Sequence, residues 1–373
     1  MEKIKVLFAL PNLTTAGSGR EMLNIAERLD KNLFEAWIGV QQVGGELFDE
    51  VIAKKMPIVV QPFVADEQAS LANKIRSARA YARDFRSLDF DIWQSFNWSS
   101  DFSEALVARW AGAKYLYVKK NMNWGRKAWK TKTMLSSAVV ARNTTMFETF
   151  FASKRYKRKS HLIHGGVDTE QFKPGYDMSA RQEFSIPDRA LMVSCIAQLV
   201  RAKDQATLIK AAAKVEQTYV IIAGAIRDNE YKAELDALIK KLGVQDRVKI
   251  AGHYSNVNSL LNASNAFVLP TSTYMGHEEG CPVSVLEAMA AGTPCIVSDV
   301  AGNRDLIQHG KTGLVFKPEK ADALADCLRE FINKPSYPKE LAERALDKVY
   351  GEYTIQKEVQ KFEALYSKLM KHR

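Results

Sequence analysis

Short apolar runs alternate with longer amphipathic ones along nearly the whole chain, and the alternation stops once and starts again. Ile4–Leu10 is an apolar run, followed by Gly17, Ser18 and Gly19. An amphipathic stretch then begins near Arg20, with Met22, Leu23, Ile25, Ala26 and Leu29 available for one buried side. Ala36–Val40, Ile58–Val60, Asp91–Trp93 and Tyr115–Val118 are further strand candidates, and Ala138–Ala141 and His161–Ile163 weaker ones. A turn-rich join follows, from Gly165-Gly166-Val167-Asp168 to Pro174-Gly175. After it come strand candidates at Met192–Ala197, Tyr219–Ala223, Val248–Ala251, Ala266–Leu269 and Pro294–Val297, with helices expected over Ala206–Val215 and Glu230–Leu242. Repeated βα units bury strands on both faces and imply parallel sheets covered by helices. The chain therefore reads as α/β, with two Rossmann-like domains over 1–170 and 171–350. The tail from Ala342 to Arg373 reads as helical, with Phe362, Leu365, Tyr366 and Leu369 at helical spacing.

Two domains also suit a length of 373 residues, beyond what one core usually serves. No stretch approaches the roughly 20 apolar residues that span a bilayer. The four cysteines (Cys195, Cys281, Cys295, Cys327) have neither metal-ligand spacing nor the look of a disulfide framework. The cytoplasm is the expected compartment. The net charge of +10 is lopsided: residues 1–175 hold 27 Lys and Arg against 18 Asp and Glu. Two clusters concentrate it, one from Lys119 and Lys120 through Arg126, Lys127 and Lys130 to Lys132, the other over Lys154–Lys159. Such clusters suit an anionic surface or acceptor, and equally a solvated face. A nucleic-acid role would rest on charge alone and is not expected.

Chemistry concentrates between Thr271 and Asp299. Pro270 ends a buried strand, so Thr271–Cys281 is expected as a loop at its carboxyl end, the edge where open α/β sheets bind ligands. Pro282 suits the first position of a helix, and Gly292 before Pro294 suits its end. Such a helix aims unbonded N–H groups, from Val283 onward, at a phosphate. Glu279 precedes it on the loop. Glu287 lies five residues past Pro282, about 7–8 Å along the axis. One carboxylate is placed for a sugar and the other for a ribose, whose hydroxyls carboxylates accept well.

With Ala-Met-Ala-Ala-Gly-Thr-Pro after it, Glu279-x7-Glu287 resembles the signature of the retaining GT-B glycosyltransferases of family 4. The resemblance runs through Ile163–Asp168 with Phe172 and Pro174, Ala197-Gln198-Leu199 with Lys203, Gly252-His253-Tyr254, Leu269-Pro270-Thr271 and Gly310–Gly313. It implies a GT-B fold, two Rossmann-like domains facing a central cleft, with a C-terminal helix over 351–373 crossing back to pack on the first domain. It further implies transfer of a sugar, with retention, from a nucleotide-diphosphate donor to a saccharide or lipid-linked acceptor. The nucleotide sugar would be a co-substrate, with no cofactor and no metal. Glu279 and Lys203 would be catalytic, Lys203 by neutralising the departing diphosphate. Gly17, Gln198, Arg201, His253, Gly280, Cys281, Pro282, Val283 and Glu287 would line the donor. The family's arginine five residues before the lysine is Gln198 here, so either Arg201 substitutes for it or the leaving group receives weaker help.

Many relatives place a histidine at the end of a first-domain strand, but the first histidine here is His161. Lys120 and Asn121 stand in that region, and with Trp124 they are the expected acceptor side. Asp89-Phe-Asp91 imitates a metal motif but sits at a strand start, where a capping or surface role is expected. Cell-envelope polysaccharide or glycolipid synthesis, at the inner face of an anionic membrane, is the resulting expectation. A non-catalytic glycan- or lipid-binding relative and a nucleotide-sugar epimerase are the alternatives.

Overall fold

The computed structural model describes residues 2–14, 16–120, 122 and 128–371. The chain divides into two compact units, Met1–Gly165 with Ile355–Arg373, and Gly166–Thr354.

The first unit is built on seven parallel strands: β1 (Ile4–Ala9), β2 (Phe34–Val40), β3 (Ile58–Val60), β4 (Ile92–Ser95), β5 (Lys114–Val118), β6 (Ala138–Ala141) and β7 (Ser160–Leu162). Their order across the sheet is β3-β2-β1-β4-β5-β6-β7, so both weaker strand candidates join it. Alternate residues of each strand serve opposite faces. Val6 and Phe8 of β1 meet Met22, Leu23 and Ile25 of helix Ala16–Arg28 on one face. Leu7 and Ala9 meet Ala78, Ala82 and Phe85 of helix Leu71–Arg86 on the other. Gly17 and Gly19 lie inside the first turn of helix Ala16–Arg28 rather than in a loop before it, because that helix starts four residues earlier than the apolar periodicity suggests. Asp91 has a structural task at the start of β4, where its carboxylate accepts from the Lys5 N–H at 3.0 Å.

The C-terminal helix Ile355–Lys371 belongs to this first unit. Its Val359, Phe362, Leu365 and Tyr366 join the core beside β1 and β2. Its Glu358 is buried and ion-paired with buried Arg142 at 2.7 Å. Tyr366 Oη donates to Gln94 Oε1 in β4 at 2.5 Å. The tail is not one continuous helix. Ser336–Lys348 widens into a π-helical turn over Val349–Tyr353, and Thr354 is extended, bridging to Val167.

The second unit has six parallel strands: β8 (Leu191–Ile196), β9 (Thr218–Ala223), β10 (Val248–Gly252), β11 (Ala266–Leu269), β12 (Cys295–Ser298) and β13 (Leu314–Phe316). Their order is β10-β9-β8-β11-β12-β13. β13 is a strand that the sequence reading passed over: three residues between Gly313 and Lys317 are too few to show a period. No disulfide joins the cysteines, and no helix among the described residues is long and apolar enough to cross a membrane.

Candidate functional site

Strand order in the second unit reverses between β8 and β11, which pair side by side. At such a switch point the loops leaving the carboxyl ends of the two strands diverge and open a crevice. Lys203 comes from the first of these loops and Glu279 from the second.

Lys203 ends the short 3-10 turn Arg201–Lys203. The next residue, Asp204, adopts a left-handed backbone and caps helix Gln205–Ala213, its side chain accepting from the Thr207 N–H. A second bond, from Thr207 Oγ1 at 2.6 Å, locks that cap and with it the exit of the Lys203 side chain. The other loop is fastened to this turn, since the Ser272 N–H donates to Ala202 O at 2.9 Å. Buried Ser298 at the end of β12 donates to Thr271 O at 2.6 Å. On this frame Lys203 Nζ and Thr271 Oγ1 both donate to Glu279 Oε1, each at 2.5 Å. Gly302 makes room for the Glu279–Gly280 backbone that carries this side chain. A methyl group there would stand 2.8 Å from Gly280 O and 2.9 Å from Glu279 Cβ.

Helix Val283–Ala290 follows at once. Its Val285, Leu286, Ala288 and Met289 pack against Phe267 and Leu269 of β11. Pro282 is the residue before the helix rather than its first member: its extended ψ of 103° keeps it outside, and its carbonyl accepts from the Val285 N–H. The N–H groups of Val283 and Ser284 have no acceptor among the described residues. At the other end Gly292, with φ of 72°, closes a Schellman turn. Its N–H donates to Met289 O and that of Thr293 to Ala288 O. Glu287 shares the half-buried side of the helix with Val283, one turn behind the two unbonded N–H groups.

The two carboxylates differ in charge state. Burial would push Glu279 up, but the Lys203 ammonium, through charge and hydrogen bond, outweighs it. With the Thr271 hydroxyl and His277 helping, Glu279 stays below the usual carboxylate range. Glu287 has no side-chain partner among the described residues, and burial pushes it up to about 7. His277 is held below the usual imidazole range, chiefly by burial and further by Lys203, against the pull of Glu279 and Glu278. Its Nε2 is buried with no hydrogen-bond partner among the described residues.

The other expected donor residues have surroundings of their own. The Arg201 guanidinium makes a two-pronged contact with Glu234 at 2.6 and 2.7 Å and lies over the Tyr231 ring. With Asp228 and Glu230 also within 4 Å, that acidic helix end holds the guanidinium. The Gln198 side chain is exposed while its carbonyl accepts from Gln205 Nε2. His253 is exposed just after β10, and Gly17 is exposed. Thr271, His277 and Gly302 were not foreseen as site residues. Thr271 had a signal in its place at the end of a buried strand. His277 and Gly302 had none, because only the packing shows what they touch.

On the expected acceptor side, Asn121 and Trp124 lie outside the described residues. Lys120 is paired with Glu21 of helix Ala16–Arg28, and Arg142 reaches the same glutamate at 2.8 Å. Two members of the lysine cluster of this region, Lys119 and Lys132, are not on a solvated patch, while Lys130 is exposed. Lys119 and Lys132 are each 1% exposed. Lys132 donates to Ser99 O at 2.9 Å, and Lys119 lies 4.3 Å from the centre of the Phe150 ring. Burial, with the Lys132 charge added, pushes the Lys119 amine down to about 6.

Residues 178–348 match the family of glycosyl transferases group 1. Over 186 residues the chain is 27% identical to an N-acetyl-alpha-D-glucosaminyl L-malate synthase of Bacillus anthracis, a match covering 50% of this chain and 48% of that protein. Over 219 residues it is 25% identical to the UDP-Gal:alpha-D-GlcNAc-diphosphoundecaprenol alpha-1,3-galactosyltransferase of Escherichia coli, covering 56% and 54%. The chain thus spans about half the length of these curated relatives. Among solved structures, Anabaena HepE in complex with UDP and glucose superposes with a TM-score of 0.84 over 98% of this chain and 99% of that one, at 19% identity. The second unit is therefore a group 1 glycosyl transferase domain, in a chain of GT-B fold with two Rossmann-like parallel sheets.

Proposed function

We propose that the protein transfers a sugar, with retention, from a nucleotide-diphosphate donor to a saccharide or lipid-linked acceptor in cell-envelope polysaccharide or glycolipid synthesis. One observation carries this reading: a lysine and a hydrogen-bonded glutamate meet at a sheet switch point, beside two helix N–H groups and a second glutamate that have no partner among the described residues.

Each part has a task in such a transfer. The Val283 and Ser284 N–H groups and the positive end of their helix take the diphosphate. Glu287, one turn behind, accepts hydrogen bonds from the ribose hydroxyls. Glu279, kept ionised by Lys203 and Thr271, holds hydroxyls of the donor sugar. In the reaction the bond from the sugar anomeric carbon to the phosphate oxygen breaks and a bond to the acceptor oxygen forms on the same face. The acceptor proton passes to the leaving phosphate oxygen. Negative charge grows on the diphosphate, and the fixed ammonium of Lys203 with the helix N–H dipoles stabilises it without having to reorganise. This reading assigns that task to the protein and calls for no divalent metal, so transfer should persist in a chelator.

The first unit holds the acceptor in this proposal, at the loops after β1 and β5 where Glu21 and Lys120 meet. An anionic membrane surface is the second partner, since a lipid-linked acceptor would reside there. The names of the relatives make UDP-sugars the first donors to try. A nucleotide-sugar at about 100 times its dissociation constant should stabilise the fold by ~2.7 kcal/mol, visible as a thermal shift. Glu287→Ala should lose that shift. Lys203→Ala and Glu279→Ala should abolish transfer in a folded protein, and normal turnover by either would overturn the assignment.

A further inference from the structure

Four arginines share one side of helix Leu71–Arg86. At 100° per residue Arg76, Arg79, Arg83 and Arg86 fall within an arc of about 80°. All four are exposed, and none is in an ion pair among the described residues. The single acid of the helix, Asp84, points about 120° away from the middle of that arc. The arginines line a groove of about 720 Å³ with Ile75, Ala80 and Trp110, and no acidic residue among those described lines it. Trp110 orders two of them: Arg79 lies 5.6 Å from its ring centre, and Arg86 donates to its carbonyl at 3.0 Å.

We infer that this face docks the protein on an anionic phospholipid surface. The inference rests on the membrane part of the function proposed above and names the surface that serves it. The stripe runs about 15 Å from Arg76 to Arg86, so it meets a row of headgroups rather than a single phosphate. Leu71, at the amino end of the helix, is 63% exposed. The opposite side of the helix, with Ala78, Ala82 and Phe85, is packed in the core, so the arginines are the side that the helix presents to a surface. Guanidinium groups suit phosphodiester headgroups through paired N–H donors. The cluster at Lys119–Lys132 cannot take this role through Lys119, Lys120 or Lys132, which are buried or paired.

The test is flotation of the whole protein with vesicles of phosphatidylcholine alone and of phosphatidylcholine mixed with phosphatidylglycerol. The wild type should bind only the mixed vesicles and come off in high salt. A variant with Arg76, Arg79, Arg83 and Arg86 all changed to Gln should lose on the order of a thousandfold in partitioning. A variant with Lys154, Arg155, Lys157 and Arg158 changed to Gln should keep most of it. Equal binding by the wild type and the Arg76–Arg86 variant, no wild-type binding, or release of bound protein by duplex DNA at equal phosphate would each overturn the inference. A melting curve and the nucleotide-sugar thermal shift accompany every variant. Lost vesicle binding with the nucleotide shift retained supports the docking face. Vesicle binding that survives without any nucleotide response would instead defeat the donor-site reading and leave this one standing.

Discussion

Replacing Glu287 by Gln should stabilise the second unit and disable it at once, and the structure fixes the pH at which this shows. Burial pushes the Glu287 carboxyl from an ordinary 4.5 up to about 7 in the folded protein. Below pH 4.5 the group is protonated both folded and unfolded, and it then costs no more than the glutamine that replaces it. As pH rises through that window the unfolded chain ionises first, so the folded state loses stability until pH exceeds about 7. At about 1.4 kcal/mol per pH unit, the loss levels off at about 3 kcal/mol. Glu287→Gln never ionises and should escape the loss. Urea titrations of both proteins between pH 4 and 8, followed through the transition of the second unit, should coincide at the acid end. They should separate by up to about 3 kcal/mol at the alkaline end, the variant being the more stable.

Ligand binding reverses the preference. Ribose hydroxyls donate to a carboxylate better than to a carboxylic acid, so the donor should bind the ionised form and expel a proton near pH 7. Titration calorimetry in buffers of different ionisation enthalpy reads that proton directly. The wild type should release it, with affinity rising up to about pH 7 and flat above. The Gln variant should bind weakly and release none. A stability difference independent of pH, or proton uptake on binding, would refute the argument.

Lys203→Ala removes the cation from buried Glu279 and should destabilise the second unit by about 3 kcal/mol at neutral pH. The deficit should shrink as pH falls and Glu279 takes a proton, which a denaturation series between pH 4 and 8 would show. Gly302→Ala should displace the Glu279–Gly280 backbone, with a loss of about 1–3 kcal/mol and a fall in transfer rate larger than any change in donor affinity. Steady-state kinetics beside a melt would separate the two effects. Glu358→Leu removes one of the two carboxylates paired with Arg142, leaving Glu21, and about 1–3 kcal/mol should be lost from the first unit while nucleotide-sugar binding by the second is unchanged.

The fold was legible because its signals are local and periodic. A strand such as Ile4–Ala9 is apolar on both faces because helices cover both, and that run is visible without knowing its neighbours. The same holds for helix Val283–Ala290, whose ends are written in Pro282 and Gly292. What escaped were elements whose cause is elsewhere in space. β13 is held by pairing with β12 rather than by its own composition. The extended Thr354 that breaks the C-terminal helix exists because Val167, nearly two hundred residues earlier, pairs with it.

Charge was the property that sequence conveyed least, and the two lysine-and-arginine patterns show why. A run such as Lys119-Lys120 draws the eye because its charges are adjacent. In a strand, neighbouring side chains point to opposite faces, and here both lysines leave β5 into protein. One goes to an aromatic ring and the other to Glu21. Arg76, Arg79, Arg83 and Arg86 are diluted by serine, alanine, tyrosine and phenylalanine, yet helical spacing gathers them on one side with no acid to offset them. The Glu279–Lys203 pair follows the same logic over a longer range. Its partners are 76 residues apart, and nothing in either neighbourhood announces the other until the strand order brings β8 beside β11. Charge density along a chain therefore measures little by itself. The period of the element that carries the charge, and the acids which that period brings within reach, decide whether it becomes a buried pair or a surface able to bind.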